Sequence, residues 1–163
     1  MLKYGKNRLP PPPRRGILVR RALHARARAQ SYPNGRTTVL ATFLNCVFVG
    51  LGGLVGSVLR YLVSLVPLRH ASGFPLVTLS INVLGAFALG LIMAAVGKSS
   101  AIDPRALLFL KVGVCGGFTT FSTFALEAQS LLRLGRPYIA LLYALLSVVL
   151  CVLAIYGADA LVK

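Results

Sequence analysis

Apolar stretches alternate with short polar segments along most of this sequence. Four runs carry no charged residue, and they span residues 37–59, 71–97, 112–126 and 137–158. A helix needs about 20 residues to cross a hydrocarbon core about 30 Å thick, so three runs are long enough and the third is too short. Extending the third run on both sides gives a full span. The pattern therefore predicts an all-α membrane protein with four transmembrane helices, at residues 39–68, 75–97, 105–134 and 137–161.

The third span contains an unusual stretch, CGGFTTFSTFALE at residues 115–127. Its paired glycines and threonines interrupt an otherwise apolar helix. Short or glycine-interrupted apolar segments are the best sequence indication of a transport site in a membrane protein. We therefore predict that the third helix is broken near its middle, at residues 116–120, and that the break belongs to the functional site.

The composition agrees with a membrane protein. The chain is 56% hydrophobic and only 13% charged, whereas a water-soluble domain carries about 25% charged residues. Cys46, Cys115 and Cys151 are isolated in apolar sequence, so we interpret them as small hydrophobic side chains and not as a metal or redox site. No pairing of a base with a nucleophile and no metal-ligand cluster is visible in the sequence, so we do not expect an enzyme.

The positive charge is concentrated at the N-terminus. The net charge is +15, and ten of the eighteen Lys and Arg residues lie within residues 1–38, which also contain a run of four prolines. We interpret residues 1–38 as a tail that is disordered or lies on the membrane surface, ahead of a channel domain at 39–163. A targeting peptide or a misassigned start codon would explain the tail equally well. A nucleic-acid-binding arm lacks the interleaved aromatic residues that would support it, so no nucleic-acid partner is expected.

Without the tail, the two ends of the four-helix domain carry nearly equal positive charge. Lys98, Arg105 and Lys163 fall on one side, and Arg69, Arg133 and Arg136 fall on the other. Such a domain could insert in either orientation, and only the tail favours a cytoplasmic N-terminus. Either the tail fixes one topology, or it is removed, or it is never translated.

The first span contains the stretch GLGGLVGSVLRY at residues 50–61. Its glycine spacing and its apolar context do not fit a dinucleotide-binding loop. Gly52 and Gly56 are four residues apart, so we expect them to let another helix approach closely. Arg60 extends the same face. It is either an interfacial anchor or a vestibule cation that attracts anions.

Polar side chains within the second and fourth spans form further candidates. Asn82 shares a helix face with Thr78, and an amide at membrane depth serves either helix association or an ion pathway. In the fourth span, Tyr143, Ser147 and Cys151 form one stripe at intervals of four residues. A serine bonded to its own helix and an interfacial tyrosine would be the structural alternative.

The third span places two kinds of side chain on two faces. Phe121 and Phe124 share one face, and Thr120, Thr123 and Glu127 share another. These residues could be an aromatic packing pair beside hydroxyls that cap the break. Alternatively, the positive ring edges and the hydroxyl donors could line a path for a small anion. An interior without carboxylates near the middle of any span favours an anion over a coupled cation.

The motifs GGLVGSVLRY (52–61), TLSINVLGAFALG (78–90), GVCGGFTTFSTFALE (113–127) and YALLSVV (143–149) occur here in that order. Together they closely resemble the CrcB/Fluc family of fluoride channels, over about residues 39–160. The resemblance implies passive, selective export of fluoride across the cell membrane, which protects the cell. It also implies an antiparallel, dual-topology homodimer with two fluoride pathways.

The same resemblance assigns roles to individual residues. Its implied fluoride pathway consists of Asn82, Phe121, Phe124, Thr120, Thr123, Tyr143 and Ser147. Arg60 and Glu127 would lie in a vestibule. The backbone carbonyls of Gly116 and Thr119 from both subunits would hold a structural Na⁺. Cys151 stands where a serine or glycine would be more usual, so its role in the pore is left open.

An antiparallel dimer requires half of the N-termini to lie outside the cell, which ten positive charges oppose. We therefore expect the tail to be absent or processed in the functional protein, and a paralogous subunit is a second candidate partner. Another function class is a small dual-topology exporter of organic cations. That class would need a glutamate in the first helix, and residues 39–68 contain no Asp or Glu.

Overall fold

A computed structural model of the chain describes residues 35–67, 73–98 and 102–162. Helix α1 covers Gly35–Ser64 and α2 covers Leu76–Lys98. Pro104–Leu107, a π-helix at Leu108–Cys115 and a short turn at Gly116–Phe118 follow one another and are together called α3. Helix α4 covers Phe121–Arg133, and α5 covers Pro137–Val162. The predicted tail lies, up to residue 34, outside the described residues.

Four helical segments are long and apolar enough to cross a membrane, namely Thr38–Ser64, Leu76–Lys98, Pro104–Arg133 and Pro137–Val162. The described residues form helices and turns, with no strand among them. These findings confirm the prediction of an all-helical membrane protein with four spans and a break in the third. The first helix ends at Ser64, earlier than predicted, and Leu65 and Val66 continue it only as a turn.

Glycines bring α1 and α3 into direct backbone contact. Gly52 and Gly56 are buried. A Cβ atom on Gly113 would lie 2.7 Å from the Cα of Gly52, and one on Gly117 would lie 2.7 Å from the carbonyl oxygen of Gly53. Contacts this short leave no room for any side chain, so the predicted close approach at Gly52 and Gly56 is confirmed.

Helix α2 contacts α3, α4 and α5, and so supports the third span along its length. Near its middle, Gly85 lies against the side chains of Phe118 and Thr119, next to the break. One and a half turns further on, Gly90 lies against Ala158 and the backbone of Ile155 in α5. Both glycines allow a close approach that fixes the second and fourth spans relative to the break.

The third span begins with a capped turn and then widens. Asp103 caps the first turn, because its side chain accepts hydrogen bonds from the amides of Arg105 at 2.7 Å and Ala106 at 3.1 Å. The following residues, Leu108–Cys115, form a π-helix, in which each carbonyl bonds five residues ahead. Such segments are rare and often occur at functional sites. Hydropathy gives no sign of this one.

We predict that Gly52→Leu destabilises the protein, because a side chain at this position collides with the backbone of α3. Overpacking in a close contact costs about 1–3 kcal/mol, so the variant should melt at a lower temperature and yield less monodisperse protein. Gly50→Leu is the matched control, because Gly50 lies two residues away and has nothing within 4 Å of an added Cβ. Equal melting temperatures for the two variants would contradict the proposed packing.

Candidate functional site

The break in the third span consists of two extended residues. Thr119 has φ −77° and ψ 156°, and Thr120 has φ −148° and ψ 115°. Thr120 also caps α4, since its hydroxyl oxygen accepts a hydrogen bond from the amide of Thr123 at 3.2 Å. The backbone therefore changes direction at these two residues and resumes as a helix at Phe121.

Asn82 of α2 binds the broken backbone with both ends of its amide. Its Nδ2 donates to the carbonyl oxygen of Thr120 at 3.1 Å, and its Oδ1 accepts from the amide of Thr120 at 2.8 Å. The side chain thus satisfies both backbone groups of one extended residue. Unsatisfied backbone groups cost several kcal/mol in a membrane, so this pairing makes the break tolerable.

This pairing and the Thr120 cap together release two carbonyl oxygens of the third span. In a continuous α-helix, the amide of Thr120 would donate to Gly116 and the amide of Thr123 would donate to Thr119. Here the Thr120 amide donates to Asn82, and the Thr123 amide donates to the Thr120 hydroxyl. The carbonyl oxygens of Gly116 and Thr119 therefore lose their usual helical donors and become available to another ligand.

Glu127 is held by hydroxyl groups from two other helices. Its Oε1 accepts a hydrogen bond from the hydroxyl of Thr78 at 2.8 Å, and its Oε2 accepts one from the hydroxyl of Tyr143 at 2.7 Å. Tyr143 is completely buried. Its ring packs against those of Phe124, at a centroid distance of 4.9 Å, and Phe74, at 5.5 Å. The carboxylate thus joins α2, α4 and α5 at one point.

A cavity of about 480 Å³, which we call the phenylalanine cavity, opens beside the break. Phe121 and Phe124 line it, with ring centroids 5.4 Å apart. Its lining also includes Asn82, Thr119, Thr120, Ser147, Cys151 and Lys111. Phe121 is 78% exposed, which is unusual for an aromatic ring that lines a cavity. One wall of the cavity is therefore open in the single chain.

A second cavity, of about 350 Å³, lies against the first span and is called here the arginine cavity. Arg60 lines it together with hydroxyl-bearing residues, among them Ser57, Ser64, Thr78, Thr120 and Thr123. Among the described residues, Thr120 alone lines both cavities, and no Asp or Glu lines either one. The break therefore stands between two acid-free cavities.

Most hydroxyl and amide donors around the break already have a partner. Ser147 donates to the backbone carbonyl of Tyr143 at 2.7 Å, and Thr120 donates to the hydroxyl oxygen of Thr123 at 3.0 Å. Within the part of the chain that the structure describes, the second N–H of Asn82 and the hydroxyl hydrogen of Thr123 have no acceptor. These two donors, one beside each cavity, are available to an anion.

The structure gathers most of the candidate residues around the break. Asn82, Thr120, Phe121, Phe124 and Ser147 line the phenylalanine cavity, while Arg60 and Thr123 line the arginine cavity. Glu127 lines neither of these two. It faces a separate cavity of about 350 Å³ near Gly73 and Ser130, and it contacts the site through Thr78 and Tyr143.

Sequence reasoning missed two features of the site. It placed Thr78 on the face of Asn82 but gave it no role, although Thr78 holds Glu127. It also assigned no role to Lys111, which lines the phenylalanine cavity. The interval of four residues between Thr78 and Asn82 was the available signal for the first feature. Nothing in the sequence pattern indicated the second.

Comparisons with known proteins give a consistent result. The family model described as "CrcB-like protein, Camphor Resistance (CrcB)" matches residues 47–158. The "Fluoride-specific ion channel FluC" of Shewanella halifaxensis is 43% identical over 119 residues, which is 72% of this chain and 95% of the relative. The protein of the same name from Chlorobium phaeobacteroides is 43% identical over 117 residues, or 72% of this chain and 91% of the relative. That from Ruminiclostridium cellulolyticum is 40% identical over 121 residues, or 74% and 93%.

We predict that Asn82→Ala lowers the stability of the protein, because it leaves both backbone groups of Thr120 without partners. Each unsatisfied buried group costs about 1–3 kcal/mol, so the melting temperature should fall clearly. Asn45→Ala is the matched control, since Asn45 is an amide of similar burial in α1 without a described hydrogen bond. An equal effect of the two substitutions on melting temperature would contradict the role of Asn82 at the break.

Proposed function

The chain belongs to the CrcB family, and we propose that it is a fluoride-selective channel through which fluoride leaves the cell passively. It is a multi-pass integral membrane protein with four spans. Its relatives that are named fluoride-specific ion channels match it over most of their own length. Export of this kind lowers the toxicity of fluoride inside the cell.

One observation carries the proposal beyond the family relationship, namely that two acid-free cavities meet at Thr120 in the broken third span. Fluoride is a small anion that holds its water strongly, so a selective path must replace that water with donors. Hydroxyl and amide hydrogens supply such donors, and the positive edges of aromatic rings tolerate an anion that has lost part of its water. A nearby carboxylate would repel it.

We assign a sequence of contacts to the ion on this basis. In the arginine cavity, Arg60 raises the local anion concentration, and the unengaged hydroxyl of Thr123 offers a donor. The ion then passes Thr120 and reaches the free N–H of Asn82. Beyond this point, the ion moves through the phenylalanine cavity in contact with the ring edges of Phe121 and Phe124.

The hydroxyls of Tyr143 and Ser147 can donate to fluoride only if each gives up its present acceptor. Tyr143 donates to Glu127, and Ser147 donates to a backbone carbonyl. Each would have to rotate away from its acceptor to bind fluoride. Because Thr78 also donates to Glu127, the carboxylate keeps one hydroxyl when Tyr143 leaves it. We therefore propose that Glu127 binds the Tyr143 hydroxyl until fluoride takes its place as the acceptor.

We further propose that two copies of the chain assemble as an antiparallel homodimer. Phe121 is 78% exposed, and the phenylalanine cavity is open on that side, so a second copy would supply the missing wall. The balanced positive charge at the two ends of the four-helix domain suits opposite orientations. A paralogous subunit could occupy the same place.

We propose that Gly116 and Thr119 hold a structural Na⁺ in this dimer. The residues fit such an ion, because both carbonyl oxygens have lost their usual helical donors and hard cations prefer oxygen ligands. Unwound backbone carbonyls bind Na⁺ in other membrane transport proteins. The ion would neutralise the carbonyl dipoles of two facing breaks.

The organic-cation exporter does not agree with these observations. The similar proteins are named fluoride-specific ion channels. In addition, residues 39–68 contain no carboxylate that could bind a cation. Both observations therefore favour transport of an anion over transport of an organic cation.

We predict that the purified protein in proteoliposomes releases fluoride and not chloride, as measured with ion-selective electrodes. Phe121→Ile and Phe124→Ile should each reduce fluoride flux by about tenfold, which corresponds to about 1.4 kcal/mol of lost stabilisation at the barrier. Phe43→Ile is the matched control, because Phe43 is an exposed ring in α1 that lines neither cavity. Absence of fluoride flux in the unmodified protein would defeat the proposed function.

We predict that sodium stabilises the dimer. Replacing Na⁺ with choline at constant ionic strength should lower the melting temperature and shift the protein towards monomers in size measurements, because a ligand that binds only the assembled state stabilises it. The Asn82→Ala variant should lose this response, since its carbonyl arrangement at the break is disturbed. Identical melting and identical size in Na⁺ and in choline would refute the sodium site.

A further inference from the structure

Lys111 is a cation inside the third span that the proposed pathway does not yet use. It lies in the π-helical part of α3, and its side chain lines the phenylalanine cavity. It also lines an adjoining cavity of about 400 Å³, together with Tyr156 and Asp159. The side chain of Lys111 forms no hydrogen bond or ion pair with any residue that the structure describes. An ionisable residue within a span usually faces a water-filled cavity and marks an ion pathway.

The position of Lys111 parallels that of Arg60 across the break. Arg60 is the one cation among the described residues that line the arginine cavity, and Lys111 is its counterpart in the phenylalanine cavity. Thr120 lines both cavities. An anion that crosses the break in either direction would thus leave a cavity with one positive charge and enter another with one positive charge.

The walls around Lys111 strengthen its effect on an anion. Leu89 and Ile155 line both the phenylalanine cavity and the adjoining one, so Lys111, although exposed, shares both cavities with apolar side chains that focus the field of a charge. At a distance of about 10 Å, a unit charge changes local anion concentration by about two- to fifteenfold for effective dielectric constants of about 20 to 80. A lysine is a mobile point charge, so it can attract an ion without fixing it.

We propose that Lys111 forms a second anion-attracting site, where the phenylalanine cavity meets the adjoining one, and that it concentrates fluoride there for the pathway. This inference rests on the proposed fluoride channel function. Asp159 lines the adjoining cavity and has an interaction of its own. Its carboxylate faces the same space as Lys111 and keeps the net field moderate, so that the anion is released.

The test is fluoride flux through the full chain in proteoliposomes, measured from low to saturating fluoride. Lys111→Met should reduce flux at low fluoride by about three- to tenfold, and the difference should shrink at saturating fluoride and at high ionic strength, because salt screens the charge. Lys111→Arg should stay within about twofold of the unmodified protein, since it retains the charge. Arg105→Met is the matched control. Arg105 is an exposed charge in the same span, and it lines none of the cavities described. This variant should leave flux unchanged.

Asp159→Asn distinguishes an anion site from a structural ion pair. If Lys111 attracts fluoride, removing the carboxylate leaves flux at low fluoride unchanged or raises it. If Lys111 only pairs with Asp159, this variant reproduces the loss seen in Lys111→Met, and the inference is overturned. Lys111→Gln serves in place of Lys111→Met if the latter does not fold.

Two further results would also overturn the inference. One is equal flux in Lys111→Met and Arg105→Met at every fluoride concentration. The other is an equal loss in Lys111→Met and Lys111→Arg that does not respond to ionic strength, because a structural role would explain it. These outcomes differ from failure of the proposed function, in which the unmodified protein itself carries no fluoride.

Discussion

The pairing between the Asn82 side chain and the backbone of Thr120 is the interaction on which the rest of the site depends. A membrane helix cannot expose free backbone groups to lipid, so an interruption persists only where another group replaces the lost hydrogen bonds. Asn82 replaces two of them at one residue. With this pairing and the Thr120 cap, α4 begins at Phe121, the carbonyls of Gly116 and Thr119 lose their helical donors, and Thr120 lies between two cavities. Each of these features would disappear in a continuous helix.

The sequence predicted much of the fold because the relevant signals are local. Run lengths predicted four spans and marked the third as interrupted, and the interval between Gly52 and Gly56 predicted that another helix approaches α1 closely, although not that this helix is α3. The π-helix at Leu108–Cys115 could not be predicted, because apolar residues suit both helix types. The partners of Asn82 and Glu127 could not be predicted either, because they depend on how the helices pack. Thr120 lies 38 residues from Asn82, and Thr78 lies 49 residues from Glu127.

The donor arrangement changes how the polar residues of the pathway are understood. The sequence left open whether Ser147 bonds to its own helix, and in the structure it does, while Tyr143 and Thr78 both donate to Glu127. A buried hydroxyl without an acceptor is costly, which explains why these buried or half-buried hydroxyls donate to the protein at rest, while one N–H of Asn82 and the hydroxyl of Thr123 remain available. Selectivity for a strongly hydrated anion then depends on whether the ion is a better acceptor than the carbonyl or carboxylate that it displaces.

Thr120 has a consequence for the electrical behaviour of the protein. Among the described residues it alone lines both cavities, so the two cavities are separated there by little more than one residue. Where water and ions fill both cavities, the membrane potential falls mainly over this thin layer instead of over the full hydrocarbon thickness of about 30 Å. A small displacement past Thr120 would then carry an ion through most of the voltage. Under that condition, the electric field acts on the permeating ion mainly at the break.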